Sequence, residues 1–268
     1  MMRQKKRGKL YGIGIGPGDP KLLTLKAKEI IDRVNMVFCP KGDEDKTSWA
    51  RSIIEAATSA PKEVVELHFP MTRNKKVLEV YWQKAARRIA KGVTGGKEAA
   101  FVTLGDPFIY STYIYLVKTL QKDFPEVEVE TVPGISAFNA AAAKAQIPLV
   151  EGDERMAVLP VRKDLKGLRE AFQTFDTVIL MKVGSKLDKV MALLTEMDLL
   201  KHSVLVSRIG QPGERMIRDL TSLNEVKKEG YLSVMIVKIP PHPLPSENVS
   251  KLAVHPSTCS GDGSTGSP

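Results

Sequence analysis

Three short segments of the chain combine glycine, proline and a small polar residue, the residue types that can hold a ligand against the backbone. The first is Gly12-Ile-Gly-Ile-Gly-Pro-Gly-Asp-Pro20, the second is Gly105-Asp-Pro107 and the third is Pro133-Gly-Ile-Ser136. Because glycine has no Cβ, a ligand can lie directly on the chain at these places. A helical pattern follows each segment, and the free N–H groups of a helix start can bind an anion or a polar ligand edge. The residue types predict ligand binding, with a tight turn that holds no ligand as the alternative.

The first segment does not carry either of the common phosphate-binding motifs. In the dinucleotide pattern Gly-x-Gly-x-x-Gly, the last glycine would fall on Pro17 or on Asp19, depending on the register. The P-loop pattern fails as well, because Lys97 is followed by Glu98 and not by serine or threonine. The sequence therefore argues against a pyrophosphate or a nucleoside triphosphate in this loop.

The sequence shows no set of side chains that would supply a nucleophile or bind a metal. Its two cysteines and four histidines are scattered and lack the spacing of a zinc site. Neither a Ser/His/Asp arrangement nor a pair of carboxylates with an evident role appears. A protein built to hold ligands suits methyl transfer from a sulfonium, because the donor is already activated and alignment supplies much of the rate. We therefore expect a chain that binds and orients its ligands and uses no metal.

Composition and charge narrow the class of protein. The 268 residues are 43% hydrophobic and 26% charged, which is ordinary for a globular protein with a sizeable core. The net charge of +9 favours an acidic partner, unless the lysines only solvate helix faces. We expect no nucleic acid, because there is no RNA-recognition signature and only 6% of residues are aromatic. No apolar run approaches the ~20 residues that span a bilayer, and the basic N-terminus does not resemble a signal sequence, so we expect no membrane and a cytoplasmic location.

Strand-like and helical patterns alternate along most of the chain, which predicts an α/β fold with mostly parallel strands. The predicted strands are Lys9–Ile15, Met36–Cys39, Ala99–Leu104, Val127–Val132, Met156–Val161, Thr177–Met181, Ser203–Ser207 and Tyr231–Ile239. The predicted helices are Leu22–Arg33, Thr47–Ala57, Lys75–Lys91, Ile109–Lys122, Ser136–Ala145, Leu165–Phe172 and Lys186–Glu196. Near the end the pattern changes, and we expect Arg215–Leu220 and Tyr231–Val237 to pair as antiparallel strands.

A break at Gln146–Glu154, which contains Pro148 and Gly152 and ends in acidic residues, divides the chain. We predict an N-terminal α/β domain over residues 8–148 and a C-terminal α/β domain over residues 154–240. Residues 241–268 are rich in proline, serine, threonine and glycine and poor in apolar residues, so we predict a disordered tail there.

Several strand ends offer candidate ligand contacts. Asp106 is placed either to cap the next helix or to accept a hydrogen bond from a ligand, and the residues leave both options open. Ser136 is a candidate N-cap of an alanine-rich helix. Met181 suits a core position, an adenine pocket or a thioether pocket. Because ligands of open α/β sheets bind at the carboxyl ends of the strands, the glycine-bearing ends predict one composite pocket.

These motifs, in this order, resemble the tetrapyrrole (corrin/porphyrin) methylases. The resemblance is carried by the first segment with Leu22-Leu-Thr-Leu-Lys-Ala27, by Gly105-Asp-Pro-Phe108, by Pro133-Gly-Ile-Ser-Ala137 and by Leu180-Met-Lys182, and it covers Lys9 to about Ile239. It implies two α/β domains with a ligand cleft between them, S-adenosylmethionine (S-adenosyl-L-methionine) as the methyl donor, a tetrapyrrole substrate and a homodimer.

Within that family, three further segments resemble the members that methylate the C-20 meso carbon of a corrin precursor in cobalamin biosynthesis. These segments are Trp49–Ile53, Glu66–Thr72 and the pair Tyr81-Trp82. The acceptor implied is precorrin-2 or cobalt-factor II. The alternatives are another ring-position or sirohaem-type methylase, the related diphthamide-forming enzyme, or a non-catalytic protein that binds a tetrapyrrole or nucleic acid through its positive charge.

Carried onto this sequence, the family's motifs imply which residues contact each ligand. The implied donor-binding residues are Pro17, Leu104, Gly105, Asp106, Ile109, Ser136, Ala137 and Met181. The implied substrate-binding residues are Gly16, Gly18, Asp19, Arg51 and Arg73, with Lys41 and Lys182 as further candidates. The cations would bind tetrapyrrole carboxylates, since a guanidinium can donate two hydrogen bonds to one carboxylate. One more donor contact is implied in the strands between Glu214 and Ile239, and His68 and Tyr110 are the candidates for a general base.

Overall fold

The computed structural model of the chain describes residues 7–42, 48–58, 63–162, 164–221 and 232–240. The predicted α/β fold is confirmed: each half of the chain contains one five-stranded sheet with helices packed on it. The predicted tail at 241–268 lies outside the described residues, as do Thr47 and Tyr231 at the starts of two predicted elements. No helix in the described part of the chain has the length and apolar character that crossing a membrane requires.

The first sheet is entirely parallel and has the strand order β3-β2-β4-β1-β5. Its strands are β1 (Lys9–Gly14), β2 (Met36–Lys41), β3 (Glu63–His68), β4 (Glu98–Thr103) and β5 (Glu128–Val132). β1 and β4 are central and almost wholly buried, which explains their continuous apolar sequence. β3 is an edge strand that buries only Leu67, and its mixture of charged and apolar residues explains why the sequence did not predict it.

The helices α1 (Leu25–Arg33), α2 (Trp49–Ala57), α3 (Lys75–Gly92) and α4 (Tyr113–Asp123) cover both faces of this sheet. The apolar residues of α1 and α2, such as Ile31 and Ile54, belong to the core on one face. Those of α3 and α4, such as Ile89 and Leu116, belong to the core on the opposite face. β1 and β4 are neighbours, yet the helices that follow in the chain lie on opposite faces. A crevice forms at their carboxyl ends for that reason, and open α/β sheets bind ligands at such a place.

The second sheet is mixed and has the strand order β6-β7-β10-β8-β9. Its strands are β6 (Met156–Pro160), β7 (Thr177–Met181), β8 (Ser203–Ser207), β9 (Arg215–Ile217) and β10 (Ser233–Lys238). Only β6 and β7 pair in parallel. The predicted pairing of Arg215–Leu220 with Tyr231–Val237 is wrong, because the wholly buried β8 lies between β9 and β10 and pairs with both. An apolar pattern identifies a strand but does not identify its neighbours.

Three helices complete the second half: α5 (Ala137–Ala145), α6 (Leu168–Thr174) and α7 (Leu187–Glu196). Short 3-10 turns occupy Pro20–Leu22, Gly184–Lys186 and Leu200–His202. α6 and α7 pack on one face of the second sheet, and α5 packs on the other, with Phe138 in contact with the core around Ile236. α5 falls inside the range predicted for the first domain although it packs on the second sheet, so the boundary near residue 148 stays a prediction.

The three loops at the carboxyl ends of β1, β4 and β5 pack backbone against backbone. The amide of Gly105 donates to the carbonyl oxygen of Gly16 at 2.8 Å. A Cβ placed on Gly134 would lie 2.4 Å from the Gly105 carbonyl oxygen and 2.7 Å from the Cα of Gly14. Because the nearest atoms on both sides are backbone, they cannot rotate away. The glycines are therefore needed for contact between the loops as well as for any contact with a ligand.

We predict that Gly134→Ala lowers the free energy of unfolding by about 1–3 kcal/mol, because the added methyl group overpacks this contact. The measurement is urea unfolding followed by circular dichroism. Gly42→Ala is the matched control, since its Cβ would meet only the Met71 side chain at 3.6 Å, and we expect a change within about 0.5 kcal/mol. Equal effects of the two substitutions would contradict the packing argument.

Candidate functional site

A cavity of about 150 Å³ lies where the three glycine loops of the first sheet meet the second half of the chain. All eight residues that the sequence analysis assigned to a donor line this one cavity: Pro17, Leu104, Gly105, Asp106, Ile109, Ser136, Ala137 and Met181. The first seven follow β1, β4 and β5, and Met181 ends β7. The predicted composite pocket therefore exists, and its two sides come from the two halves of the chain.

The rest of the lining comes from the second half and was not predicted residue by residue. Ile209 and Gln211 follow β8, and Leu232, Ser233 and Val234 form the start of β10 and the residue before it. The sequence analysis expected one contact between Glu214 and Ile239 without naming a residue, and the last three residues lie in that range. They carry no motif, because ordinary apolar strand residues do not reveal that their strand ends at a cavity.

Asp106 ties two of the glycine loops together. Its Oδ1 accepts from the amide of Phe108 at 2.9 Å, and its Oδ2 accepts from the amide of Gly134 at 3.1 Å. The capping alternative is excluded, because α4 begins only at Tyr113 and has Thr112 at its N-cap position. The prediction that this helix begins at Ile109 is wrong for a local reason. Tyr110 adopts the left-handed conformation, with φ of 52°, which ends any helical path from Asp106.

Ser136 occupies the predicted N-cap position of α5, but its hydroxyl makes no capping hydrogen bond. Ser136 is buried, and both it and Ala137 line the cavity. Backbone N–H groups at the start of α5 can therefore donate hydrogen bonds to a polar edge of a ligand, at the positive end of the helix dipole.

The first loop is held by the second half of the chain. The amide nitrogen Nε2 of Gln211 donates to the carbonyl oxygen of Pro17 at 2.8 Å. A Cβ on Gly18 would lie 2.4 Å from Cγ of Gln211. Asp19 accepts from the amide of Lys21 at 2.9 Å, which fixes the turn that follows. The backbone of this loop approaches another loop closely, and that approach explains much of its glycine content.

The five residues that were assigned to the substrate do not line the first cavity or the neighbouring cavity described below: Gly16, Gly18, Asp19, Arg51 and Arg73. Arg51 donates from Nε to Glu55 at 2.7 Å on α2, and Lys41 pairs with Glu66 at 3.2 Å. Arg73 is exposed beside Thr72, which lines the neighbouring cavity. Their role as substrate contacts stays a prediction.

A second cavity of about 660 Å³ adjoins the first and has aromatic walls. Its aromatic residues are Phe69, Trp82, Phe108, Tyr110 and Tyr115. The Trp82 and Tyr115 rings stack with 4.5 Å between centroids and 2° between planes. Sequence reasoning missed this cavity, because its aromatic residues come from separate places in the chain and only the fold brings them to one wall.

Tyr110 and Lys182 form much of the wall that the two cavities share, together with Ile109. The Tyr110 hydroxyl donates to the carbonyl oxygen of Val158 at 2.9 Å, and Nζ of Lys182 donates to the carbonyl oxygen of Tyr110 at 3.3 Å. Both bonds join the two halves of the chain. Loss of hydration at this wall raises the pKa of the Tyr110 hydroxyl and lowers the pKa of the Lys182 ammonium.

Of the two candidate bases, only Tyr110 reaches a cavity. His68 ends β3 and packs edge-on against the Tyr81 ring, with 5.2 Å between centroids, and it lines neither cavity. The raised pKa of Tyr110 keeps its hydroxyl protonated, so this group can donate a hydrogen bond but is a poor proton acceptor.

The two sheets and the cavity between them define an α/β protein with a cleft between its two halves. The chain is a member of the Tetrapyrrole (Corrin/Porphyrin) Methylases, whose family model matches residues 9–224. The resemblance drawn from the sequence is thereby confirmed.

Two relatives that are named for an activity match this chain over nearly their whole lengths. A probable cobalt-precorrin-2 C(20)-methyltransferase from Methanocaldococcus jannaschii is 39% identical over 231 residues, which are 86% of this chain and 96% of the relative. A cobalt-precorrin-2 C(20)-methyltransferase from Salmonella typhimurium is 33% identical over 230 residues, again 86% of this chain and 96% of the relative.

Solved structures share the fold. The native uroporphyrin III C-methyltransferase from Thermus thermophilus gives a TM-score of 0.62 at 23% identity and covers 86% of this chain and 97% of its own. A structure of that enzyme complexed with S-adenosyl homocysteine gives a TM-score of 0.60 at the same identity and coverage. At this level of identity the likeness establishes the fold alone.

We predict that Asp106→Asn lowers the free energy of unfolding by about 1–3 kcal/mol. An asparagine has one acceptor oxygen where Asp106 uses two, so one backbone N–H of the glycine loops loses its partner. Asp164→Asn is the control, because among the described residues the Asp164 carboxylate accepts only from the amide of Lys166, within its own exposed turn. The measurement is urea unfolding, and equal stability of Asp106→Asn and the wild type would show that the bond to Gly134 does not hold the loops together.

Proposed function

We propose that the chain is an S-adenosylmethionine-dependent methyltransferase that methylates the C-20 meso carbon of a corrin precursor, precorrin-2 or its cobalt-bound form. The observation that carries this proposal is the 39% identity, over nearly the full length of the relative, to a protein named for that activity. The two adjoining cavities support it, because a transfer between two ligands needs two binding sites that lie next to each other.

The first cavity suits the methyl donor. Gly105, with φ of 68°, has only the start of α5 within 4 Å of where a Cβ would stand, so the loop leaves room for a ligand beside the backbone. Leu104, Ile109 and Met181 give an apolar wall for the adenine and the thioether. Gln211 is buried beside this cavity, and its Oε1 has no hydrogen-bond partner among the described residues, so it can accept from a ligand N–H or O–H.

When bound, the donor supplies a methyl group on a positively charged sulfur; the S–CH3 bond breaks as the C–CH3 bond forms, the positive charge passes to the acceptor ring, and loss of the proton from the methylated carbon removes it. The residues of the chain orient the two ligands and keep water from the cleft. An environment of low polarity favours a step in which a charge localised on sulfur spreads over a conjugated ring. Orientation alone supplies a large part of the rate when one reactant is already activated. Few acid–base side chains line the two described cavities, which agrees with a chain that mainly binds and orients its ligands.

We predict that the chain binds S-adenosylhomocysteine in calorimetry and transfers a 13C-labelled methyl group from S-adenosylmethionine to one carbon of precorrin-2 or its cobalt-bound form. NMR of the product identifies the carbon, which we expect to be C-20. Lack of binding would overturn the methyltransferase proposal, whereas a methyl group at another carbon would overturn only the ring position.

A matched pair of variants on α5 tests the location of the donor. Ala137→Leu places a larger side chain in the first cavity, and we expect the affinity for S-adenosylhomocysteine to fall by about tenfold or more. Ala143→Leu adds the same atoms at an exposed position of the same helix and should leave the affinity unchanged. Unchanged affinity in Ala137→Leu would place the donor elsewhere.

We also propose that the protein acts as a homodimer in the cytoplasm. Support for the dimer comes from the exposed apolar side chains of α3, where Val77 and Val80 face solvent in the single chain. Analytical ultracentrifugation should give twice the 29.5 kDa of one chain. A mass that stays at one chain up to ~100 µM would overturn the dimer, and cell fractionation tests the location.

A further inference from the structure

The second cavity has a chemistry that its wall residues define. It is lined by five aromatic rings and several hydroxyl groups, and Lys182 is its one charged side chain among the residues that the structure describes. Phe108 and Tyr115 have 57% and 48% of their surface exposed, so their rings are available to a ligand. A wall of rings with a single cation favours a flat, conjugated ligand that carries negative charge.

Lys182 differs from two of the other cations that were candidates for the substrate. Lys41 and Arg51 each have a carboxylate partner, as the ion pairs with Glu66 and Glu55 show. Over the described ranges, Lys182 forms no ion pair, and its ammonium donates to the carbonyl oxygen of Tyr110 at 3.3 Å. An ammonium without a counter-ion gains more from an incoming carboxylate than an ammonium that is already paired.

The position of the Lys182 ammonium follows from its hydrogen bond and from the backbone at the end of β7. Lys182 has φ of 59°, a left-handed conformation that a non-glycine residue adopts at a cost, directly after β7. Tyr110, which lines the same wall, has the same kind of conformation. Lys182 lines both cavities, and its hydrogen bond to the Tyr110 carbonyl oxygen keeps the ammonium at the wall they share, within reach of a ligand in the second cavity.

We propose that Lys182 binds a carboxylate of the tetrapyrrole acceptor and thereby determines which edge of the ring faces the methyl donor. This inference rests on the proposed function for the identity of the acceptor. A ring with several carboxylate arms can lie against an aromatic wall in more than one rotation. A single fixed cation next to the donor cavity selects among those rotations, so Lys182 acts as a positioning residue for the acceptor.

The test measures binding of uroporphyrin, a stable octacarboxylate tetrapyrrole, and does not depend on turnover. The chain has two tryptophans, Trp49 and Trp82. The substitution Trp49→Phe leaves Trp82, which lines the second cavity, as the fluorescent probe. Titrations with Lys182→Met, Lys182→Arg and the control Lys189→Met are compared in that background. Methionine and arginine meet a backbone cost similar to that of lysine at position 182, and Lys189 is exposed on α7 and lines neither cavity.

We expect Lys182→Met to weaken uroporphyrin binding by about tenfold to a hundredfold, the effect of losing a charged hydrogen bond. Lys182→Arg should recover part of the loss, and Lys189→Met should bind as the wild type does. Binding should also depend less on salt in Lys182→Met, because an ion pair is screened by salt and a packing contact is not.

The outcomes separate this inference from the proposed function. Equal uroporphyrin affinity in Lys182→Met and the wild type overturns the role of Lys182, and so does a failure of the wild type to bind uroporphyrin. Charge-dependent binding without methyl transfer to precorrin-2 overturns the proposed function and leaves the role of Lys182 in place. A loss of kcat with unchanged acceptor affinity would instead assign Lys182 to the chemical step and overturn its role as a carboxylate anchor.

Discussion

The close approach of three backbone loops is the contact on which the site depends. Gly14, Gly105 and Gly134 lie at the carboxyl ends of three adjacent parallel strands, and a side chain on Gly14 or Gly134 would overlap the backbone of a neighbouring loop. The strand order places β4, β1 and β5 side by side, and the absence of Cβ atoms lets their loops close into one floor. Asp106 then fastens two of these loops through its carboxylate. Without that packing the start of α5 would not lie beside Gly105.

The second half of the chain closes this floor into a cleft through a few polar contacts. Gln211 donates to the carbonyl oxygen of Pro17, Tyr110 donates to that of Val158, and Lys182 donates to that of Tyr110. These contacts involve side chains on one partner and backbone carbonyl groups on the other. They fix the position of the second sheet while leaving the lining of the first cavity mainly apolar. The apolar lining suits a transfer in which positive charge spreads from one sulfur over a conjugated ring.

The two cavities differ in what they offer a ligand. The first is small and has backbone amide groups, an apolar wall and a buried carboxamide oxygen. The second is larger and has stacked aromatic rings with one cation near the shared wall. Many of the positive charges outside the cavities are paired with nearby carboxylates, as at Lys9 and Arg33, so the net charge of the chain says little by itself about the site. The position of the Lys182 ammonium, which forms no ion pair among the described residues, is more informative about the site than the net charge.

The sequence alone determined the α/β class, the family and eight of the residues that line the first cavity. Glycine–proline loops after apolar runs have a local physical cause, and their order along the chain is specific to a family. The sequence did not determine that β8 lies between β9 and β10, that α5 packs on the second sheet, or that Asp106 joins two loops instead of capping a helix. It also did not reveal the aromatic cavity or the place of Lys182 beside it. Those features depend on which distant segments come together. A local pattern of apolar and polar residues records which side of an element is buried but not which neighbour buries it, so only the tertiary structure could decide them.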